Sequence, residues 1–228
     1  MKQKFMAEFF GSAFLLAIIV GSGIMGEKLA GGNEAVVLLA NSLATGAGLF
    51  VLIHNLGSIS GAHFNPAVSL VEACWGRLDR KTLFIYWSAQ ILGAIAGVWM
   101  AHLMFDLEIL QISLKNRGGP NLWISEVVAT FGLIAIITLA RRKQAEFAPL
   151  SIAAYIVSAY WFTSSTSFAN PAVTLARMFT NTFCGIKPDN VILFMTAQLL
   201  GAGVAFLIFK APEELRKRYD YSNYSSLK

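Results

Sequence analysis

The sequence predicts an all-α membrane protein with six transmembrane helices, two shorter helices that enter the membrane without crossing it, and an inverted internal repeat. One observation behind this prediction is composition, since the 228-residue chain is 56% hydrophobic and 14% charged, with a mean hydropathy of +0.59. Charged residues make up about a quarter of an average soluble domain. The other is a tripeptide that occurs once in each half within apolar sequence, as Asn65-Pro66-Ala67 and Asn170-Pro171-Ala172.

Six apolar runs are each long enough to cross a bilayer, which takes about 20 helical residues. We expect transmembrane helices near residues 5–25, 35–55, 82–104, 121–141, 149–166 and 190–210.

Each Asn-Pro-Ala tripeptide predicts a helix that begins at membrane depth. Proline fits the first helical position, where its missing N–H leaves no hydrogen bond unmade. The asparagine before it can cap the same helix through its side-chain oxygen and keep its amide free to donate. The two segments, 65–76 and 170–180, are too short to span the membrane. Backbone that leaves a helix at this depth is stable only where it is buried in protein or lines a water-filled cavity.

The two halves of the chain also match outside these tripeptides. Ala-Gln-Ile-Leu-Gly-Ala over 89–94 corresponds to Ala-Gln-Leu-Leu-Gly-Ala over 197–202. Because each half contains three spans, an odd number, the second half is inverted relative to the first, and such repeats have their functional site near the membrane midplane. We expect one transmembrane domain over 1–210, with repeats at about 1–104 and 121–210, and a cytoplasmic tail over 211–228.

The formal net charge of +5 indicates membrane topology rather than nucleic-acid binding. Basic residues concentrate in cytoplasmic loops, so their position predicts orientation. Here they lie mostly in alternate connections or at the chain ends, which predicts that both termini are cytoplasmic. The basic residues in these positions are Lys2, Lys4, Arg77, Arg80, Lys81, Arg141, Arg142, Lys143, Lys210, Arg216, Lys217 and Arg218.

No metal or cofactor is expected, because three scattered histidines and two separated cysteines give no ligand spacing. The predicted topology assigns Cys74 and Cys184 to opposite sides of the membrane, so we expect free thiols.

Glu8 and Glu126 occupy matching positions inside the first span of each half. An ionisable residue in a membrane span can serve a proton relay. Their symmetric placement instead favours a structural role, in which each carboxylate accepts hydrogen bonds from the re-entrant loop of its own half.

The run Gly61-Ala62-His63-Phe64 precedes the first tripeptide. With this run, the six spans, the two half-helices and the paired glutamates, the chain resembles the major intrinsic protein family of aquaporins and aquaglyceroporins. The resemblance implies an aquaporin-like fold, a passive channel for small uncharged solutes within each chain, and a homotetramer. It also implies that His63 lines the cytoplasmic half of the pore and that Asn65 and Asn170 orient the solute. We expect residence in the bacterial inner (plasma) membrane.

The sequence departs from the family at the outer filter. Most members have an arginine directly after the second tripeptide, where this chain has Val173. Ungapped offsets from the two tripeptides assign the other filter positions to Thr45, Ser158 and Ser167. Such a ring is small, uncharged and mostly hydroxylic. It resembles the arginine-free filters of bacterial members associated with arsenic compounds, and predicts passage of glycerol-like polyols or neutral metalloid acids such as arsenous acid, as well as water.

Arg177 follows Val173 by one helical turn, about 6 Å along the axis. It could lie at the outer vestibule and discourage cations, or pack against loop carbonyls away from the pore.

A secondary transporter is the main alternative function, because inverted repeats with broken helices also suit alternating access. Such a transporter normally needs a coupling-ion site or a titratable pair facing the substrate, and the predicted core otherwise lacks charge. An enzyme is not expected, since the sequence contains no convincing nucleophile–base set and we assign no catalytic residue.

Overall fold

The structure is a computed structural model that describes the backbone of residues 1–143 and 145–225 and the side chains of residues 1–141 and 146–209. Within this part of the chain there is no β-strand, as predicted. The α-helices are α1 (Lys2–Leu29), α2 (Glu34–Ser60), α3 (Pro66–Cys74), α4 (Arg80–Met104), α5 (Pro120–Lys143), α6 (Ala148–Phe162), α7 (Pro171–Ala176) and α8 (Pro188–Ser225). Two 3₁₀ helices, Ala145–Phe147 and Arg177–Phe179, lead into α6 and follow α7.

Helix boundaries follow ordinary capping chemistry. The side chain of Asn33 accepts hydrogen bonds from the first turn of α2, and Asp79 accepts one from the backbone N–H of Thr82 at the start of α4. Gly61 ends α2 with a φ of +89°, the left-handed conformation that glycine adopts without a steric cost. This turn directs the chain into the first half-helix.

Five of the six predicted spans are helices long and apolar enough to cross a membrane: α1, α2, α4, α5 and α8. The fifth predicted span, 149–166, is wrong in extent, because α6 has only 15 residues and ends at Phe162. Thr163 Oγ1 donates to the carbonyl of Ala159 at 2.7 Å. It begins a run of five hydroxyl residues over 163–167, and such side chains compete with helical hydrogen bonding.

The predicted tail over 211–228 begins as a continuation of α8, whose backbone runs to Ser225. Residues 226–228 lie outside the described part of the chain.

The two repeats have matching architecture. In the first, α1 packs on both α2 and α4, and in the second, α5 packs on α6 and α8. The half-helices α3 and α7 contact each other between the repeats. The chain therefore brings both tripeptides to the centre of the molecule, as the repeat pattern predicts.

Glycines allow the closest helix contacts. A Cβ at Gly93 or Gly97 on α4 would overlap the backbone carbonyl of Phe9 or Ala13 on α1, and one at Gly201 on α8 would overlap the carbonyl of Val127 on α5. Small residues permit such approach in membrane helices. Gly203 on α8, by contrast, has nothing within 4 Å of the point that a Cβ would occupy.

Candidate functional site

The two asparagines cap the half-helices as predicted. Asn65 Oδ1 accepts from the backbone N–H of Ala67 at 2.9 Å. Asn170 Oδ1 accepts from the backbone N–H groups of Ala172 and Val173 at 2.9 and 3.3 Å. In both cases proline occupies the first turn. Each cap therefore holds an asparagine side chain at the point where the chain enters a half-helix.

The loops that lead into the half-helices share an unusual backbone conformation. Ala62 and Phe64 have φ values of 49° and 48°, and the equivalent Ser167 and Ala169 have 48° and 47°. None is glycine, so each left-handed residue costs roughly 1–2 kcal/mol. Such strain persists only where the surrounding structure over-determines it.

Glu8 stabilises the first of these loops. Its Oε1 accepts from Ser60 Oγ at 2.6 Å and from the backbone N–H of His63 at 3.0 Å. Its Oε2 accepts from the backbone N–H of Phe64 at 2.7 Å and from Gln90 Nε2 at 2.8 Å. The side chain is fully buried.

Glu126 does the same in the second repeat. It accepts from the backbone N–H groups of Phe168 and Ala169 at 2.9 and 2.8 Å and from Gln198 Nε2 at 2.6 Å. Gln198 also donates to Thr174 on α7 at 2.7 Å. The predicted hydrogen bonds from loop to glutamate are therefore present in both halves.

The asparagine amides are not entirely free, contrary to our expectation. Asn65 Nδ2 donates to the carbonyl of Ala169 and Asn170 Nδ2 donates to the carbonyl of Phe64, each at 2.8 Å. These bonds cross between the repeats and use the two carbonyls that precede the tripeptides. An amide nitrogen carries two hydrogens, so each asparagine retains one for another acceptor.

One cavity of about 660 Å3 lies between the two repeats and is lined by both asparagines. Its lining includes Arg177, directly after α7, with Tyr160 and Thr45, whose hydroxyls lie close together; we call this group the Arg177 end. It also includes Glu72, in the last turn of α3, and its partner Arg141, and we call this pair the Glu72 end. His63 also lines the cavity, with Nδ1 3.0 Å from Ser69 Oγ.

Three of the four predicted filter residues line this cavity: Thr45, Ser167 and Val173. Ser158 does not, and its assignment is wrong. It is exposed, and its hydroxyl donates to the carbonyl of Tyr155 at 2.7 Å.

Tyr160 is the residue of α6 that the ungapped offset missed. The face of α6 toward the cavity carries Ala148, Ile152, Ile156 and Tyr160, one every fourth residue. Ser158 lies on a different face of the same helix. The helical spacing from Ile152 was the signal that could have located Tyr160, whose hydroxyl lies 3.4 Å from Thr45 Oγ1.

Arg177 combines the two predicted alternatives, a position at the pore and a contact with a loop carbonyl. Its Nε donates to the carbonyl of Cys184 in the following loop, yet the residue also lines the cavity. The guanidinium lies 3.5 Å from the ring centroid of Phe168, a cation–π contact, and the side chain is buried.

Arg117, in the loop between α4 and α5, approaches the same aromatic ring and was not anticipated. Its guanidinium lies 5.0 Å from the centroid of Phe168, and its Nε donates to the carbonyl of Gly185 at 2.8 Å. Burial lowers the pKa of Arg117 to about 10, which leaves it charged at neutral pH. Two cations therefore stand against the ring of Phe168, of which Arg177 lines the cavity, and neither follows the second tripeptide directly.

Nothing in the described side chains forms a metal site, since no group of three His, Cys, Asp or Glu residues comes together there. Cys74 and Cys184 are free, as expected. His102 contacts Ile109 O and Thr180 Oγ1, whereas His54 lines the cavity.

Comparison with known proteins identifies relatives along most of the chain. A model of the major intrinsic protein family matches residues 1–167. Aquaglyceroporin AqpS of Rhizobium meliloti is 53% identical over 208 residues, which cover 91% of this chain and 89% of that protein. Aquaporin Z of Brucella melitensis is 30% identical over 92% of this chain and 97% of its own length.

The fold is also similar to a solved structure. The X-ray structure of the aquaglyceroporin from Plasmodium falciparum superposes with a TM-score of 0.68, covering 91% of this chain and 95% of that one. Because the two sequences are 20% identical, this likeness concerns the fold alone. It confirms the predicted fold class.

Proposed function

The chain belongs to the major intrinsic protein family, and we propose that its central cavity is a passive channel for water and small uncharged solutes. The observation that carries this proposal is that both half-helix asparagines and three filter residues line a single cavity between the repeats. The relative that is 53% identical is named an aquaglyceroporin, which supports glycerol-sized solutes. Proteins of this family transport solutes rather than catalyse reactions.

At the centre of the cavity, Asn65 and Asn170 donate hydrogen bonds to the passing solute. Each has one amide hydrogen left after bonding the opposite loop. The N-termini of α3 and α7 meet at the same place and carry partial positive charge. A neutral molecule with oxygen lone pairs is therefore favoured there over a cation.

At the Arg177 end, Thr45, Ser167 and Val173 form the filter, with Tyr160 in the position that we first gave to Ser158. Ser167 lines the cavity, and its Oγ is buried without a hydrogen-bond partner among the described residues. With valine at position 173, this filter admits polyols and neutral metalloid acids. Arg177 stands beside it and disfavours cations.

Glu8 and Glu126 are positioning residues rather than a proton relay. Neither lines the cavity, and both oxygens of each carboxylate accept hydrogen bonds from their own loop or from a glutamine. They hold Phe64 and Ala169 in the conformation in which the carbonyl of each accepts a hydrogen bond from the asparagine of the other repeat.

The protein is integral to the membrane, and we place it in a bacterial plasma membrane as a homotetramer with cytoplasmic termini. The distribution of basic residues supports the orientation, and the long apolar helices support insertion.

The test is stopped-flow light scattering on liposomes that contain the purified protein. Glycerol flux through the wild type is expected to rise linearly with the gradient. Val173→Arg adds a bulky cation to the filter and is expected to lower glycerol permeability relative to water by about tenfold, or about 1.4 kcal/mol in the barrier.

Val173→Ile is the matched control, since it changes bulk without charge and is expected to have a much smaller effect. Saturable, ion-coupled flux in the wild type would instead indicate a secondary transporter. Equal glycerol-to-water ratios in Val173→Arg and Val173→Ile would show that the filter is assigned wrongly.

A further inference from the structure

The two half-helices place opposite charges at equivalent positions along the cavity. Glu72 and Arg177 each stand seven residues after the asparagine of their own half-helix, and both line the cavity. Because the repeats are inverted, one charge lies at each end. The Arg177 end belongs to the filter discussed above, whereas the Glu72 end has no role in that filter.

Glu72 is a buried carboxylate with a cation held against it. Its side chain is 7% exposed, and its Oε1 accepts from Arg141 Nη1 at 2.8 Å. Arg77 Nη1 lies 3.5 Å from the same oxygen. Glu72 comes from α3 in the first repeat and Arg141 from the end of α5 in the second, so this pair joins the two repeats across the cavity wall.

Both partners retain hydrogen-bonding capacity toward the cavity. A guanidinium has five N–H donors, and Arg141 uses one nitrogen to bind Glu72. A carboxylate accepts at two oxygens, and the bond from Arg141 goes to Oε1. The pair therefore presents donors and an acceptor together. Arg77 beside the same carboxylate and Glu146 in the cavity lining add one charge of each sign.

The wall next to this pair is largely apolar. It includes aliphatic side chains such as Leu133, Ile137 and Ile152. Besides Glu72 and Arg141, the imidazoles of His54 and His63 offer hydrogen-bonding groups to a solute that leaves the asparagines.

We propose that Glu72 and Arg141 form a second specificity-determining site, at which neutral solutes with several hydroxyl groups both donate to the carboxylate and accept from the guanidinium. This proposal rests on the channel function above and deepens it. A polyol offers both kinds of group at neighbouring atoms, so it matches the pair. An ion of either sign meets a like charge directly beside the opposite one, so the pair gives it no net electrostatic attraction, whereas a polyol bonds to both groups.

The test uses the full-length protein in liposomes, with water and glycerol permeabilities measured by stopped-flow light scattering. Glu72→Leu/Arg141→Leu removes both groups and leaves the net charge unchanged. The glycerol-to-water permeability ratio is expected to fall about tenfold, because the solute loses a hydrogen bond to a charged group. Arg141→Lys keeps the ion pair but loses the planar fork of donors, and the ratio is expected to fall roughly threefold.

Arg77→Leu is the control, since it removes the other cation near Glu72 and does not line the cavity. It is expected to keep the wild-type ratio. An unchanged glycerol-to-water ratio in the Leu/Leu variant overturns the proposal. If both permeabilities fall in proportion, the ratio is also unchanged and the ion pair has only a structural role. If the Leu/Leu variant does not assemble, Arg141→Lys decides by the same two criteria. A wild-type protein that conducts neither solute contradicts the channel itself, which is a separate result.

Discussion

Single residues at the centre of the molecule explain why a strained backbone persists there. Phe64 and Ala169 adopt left-handed conformations without being glycine. Their N–H groups bind the carboxylates of Glu8 and Glu126, and their carbonyls bind Asn170 and Asn65. Both polar groups of each strained residue are thus bound by side chains, one from its own repeat and one from the other. The strain fixes the direction of these groups around the cavity.

The asparagine caps provide a prediction at this scale. Asn170→Ala leaves the N–H groups of Ala172 and Val173 and the carbonyl of Phe64 without their partner. We expect a loss of about 2–3 kcal/mol in the free energy of unfolding, above the usual cost of about 1 kcal/mol for a lost cap. Glycerol and water flux should fall as well.

The matched control is Asn33→Ala. Asn33 caps α2 by accepting the same pair of hydrogen bonds, from the N–H groups of Ala35 and Val36, but it is exposed and does not line the cavity. We expect a loss of about 1 kcal/mol and unchanged flux. Denaturant unfolding in detergent and liposome flux measure both effects. Equal losses for the two variants would argue against the central role of Asn170.

At the scale of elements, glycine determines which helix faces touch. Gly93 of α4 brings that helix against the carbonyl of Phe9 on α1, whereas Gly203 of α8 faces open space in the monomer. Both are helical glycines in membrane spans, so the two positions differ mainly in their neighbours.

The two glycines are therefore expected to respond in opposite ways to alanine. Gly93→Ala forces α1 and α4 apart and is expected to destabilise the protein by about 1–3 kcal/mol. Gly203→Ala meets no described atom and is expected to be neutral, or stabilising by up to about 1 kcal/mol from helix propensity. Melting temperatures in detergent compare them. A stable Gly93→Ala protein would contradict the close approach of α1 and α4.

The element that the sequence predicted least well is α6. Its apolar run continues to Phe162, but the hydroxyl residues from Thr163 onward bond to nearby backbone and end the helix early. Hydropathy does not detect that competition, because threonine and serine are only mildly polar. The same helix carried the one wrong filter residue, since an offset counted back from Asn170 crosses this non-helical loop before it reaches Ser158.

For the whole molecule, patterns that occur twice were the most predictable. The paired tripeptides, glutamates and glutamines each appear in both halves, and the structure places each pair at equivalent points of the two repeats. Features that break the repeat were missed. Glu72, Arg141 and Arg117 have no counterpart of the same kind in the other half, so only the folded chain shows that the first two line the cavity and the third approaches Phe168.

The most direct test of the pore assignment is chemical access to single cysteines in the filter region. Cys74 and Cys184 are first replaced by serine, and Val173→Cys or Ser158→Cys is then introduced. A membrane-impermeant thiol reagent is added to liposomes, and glycerol flux is measured before and after. Val173 lines the cavity, whereas Ser158 is exposed on another face of α6. We predict that the reagent blocks flux through the Val173→Cys protein and leaves flux through the Ser158→Cys protein unchanged. Block at Ser158→Cys without block at Val173→Cys would contradict the assignment.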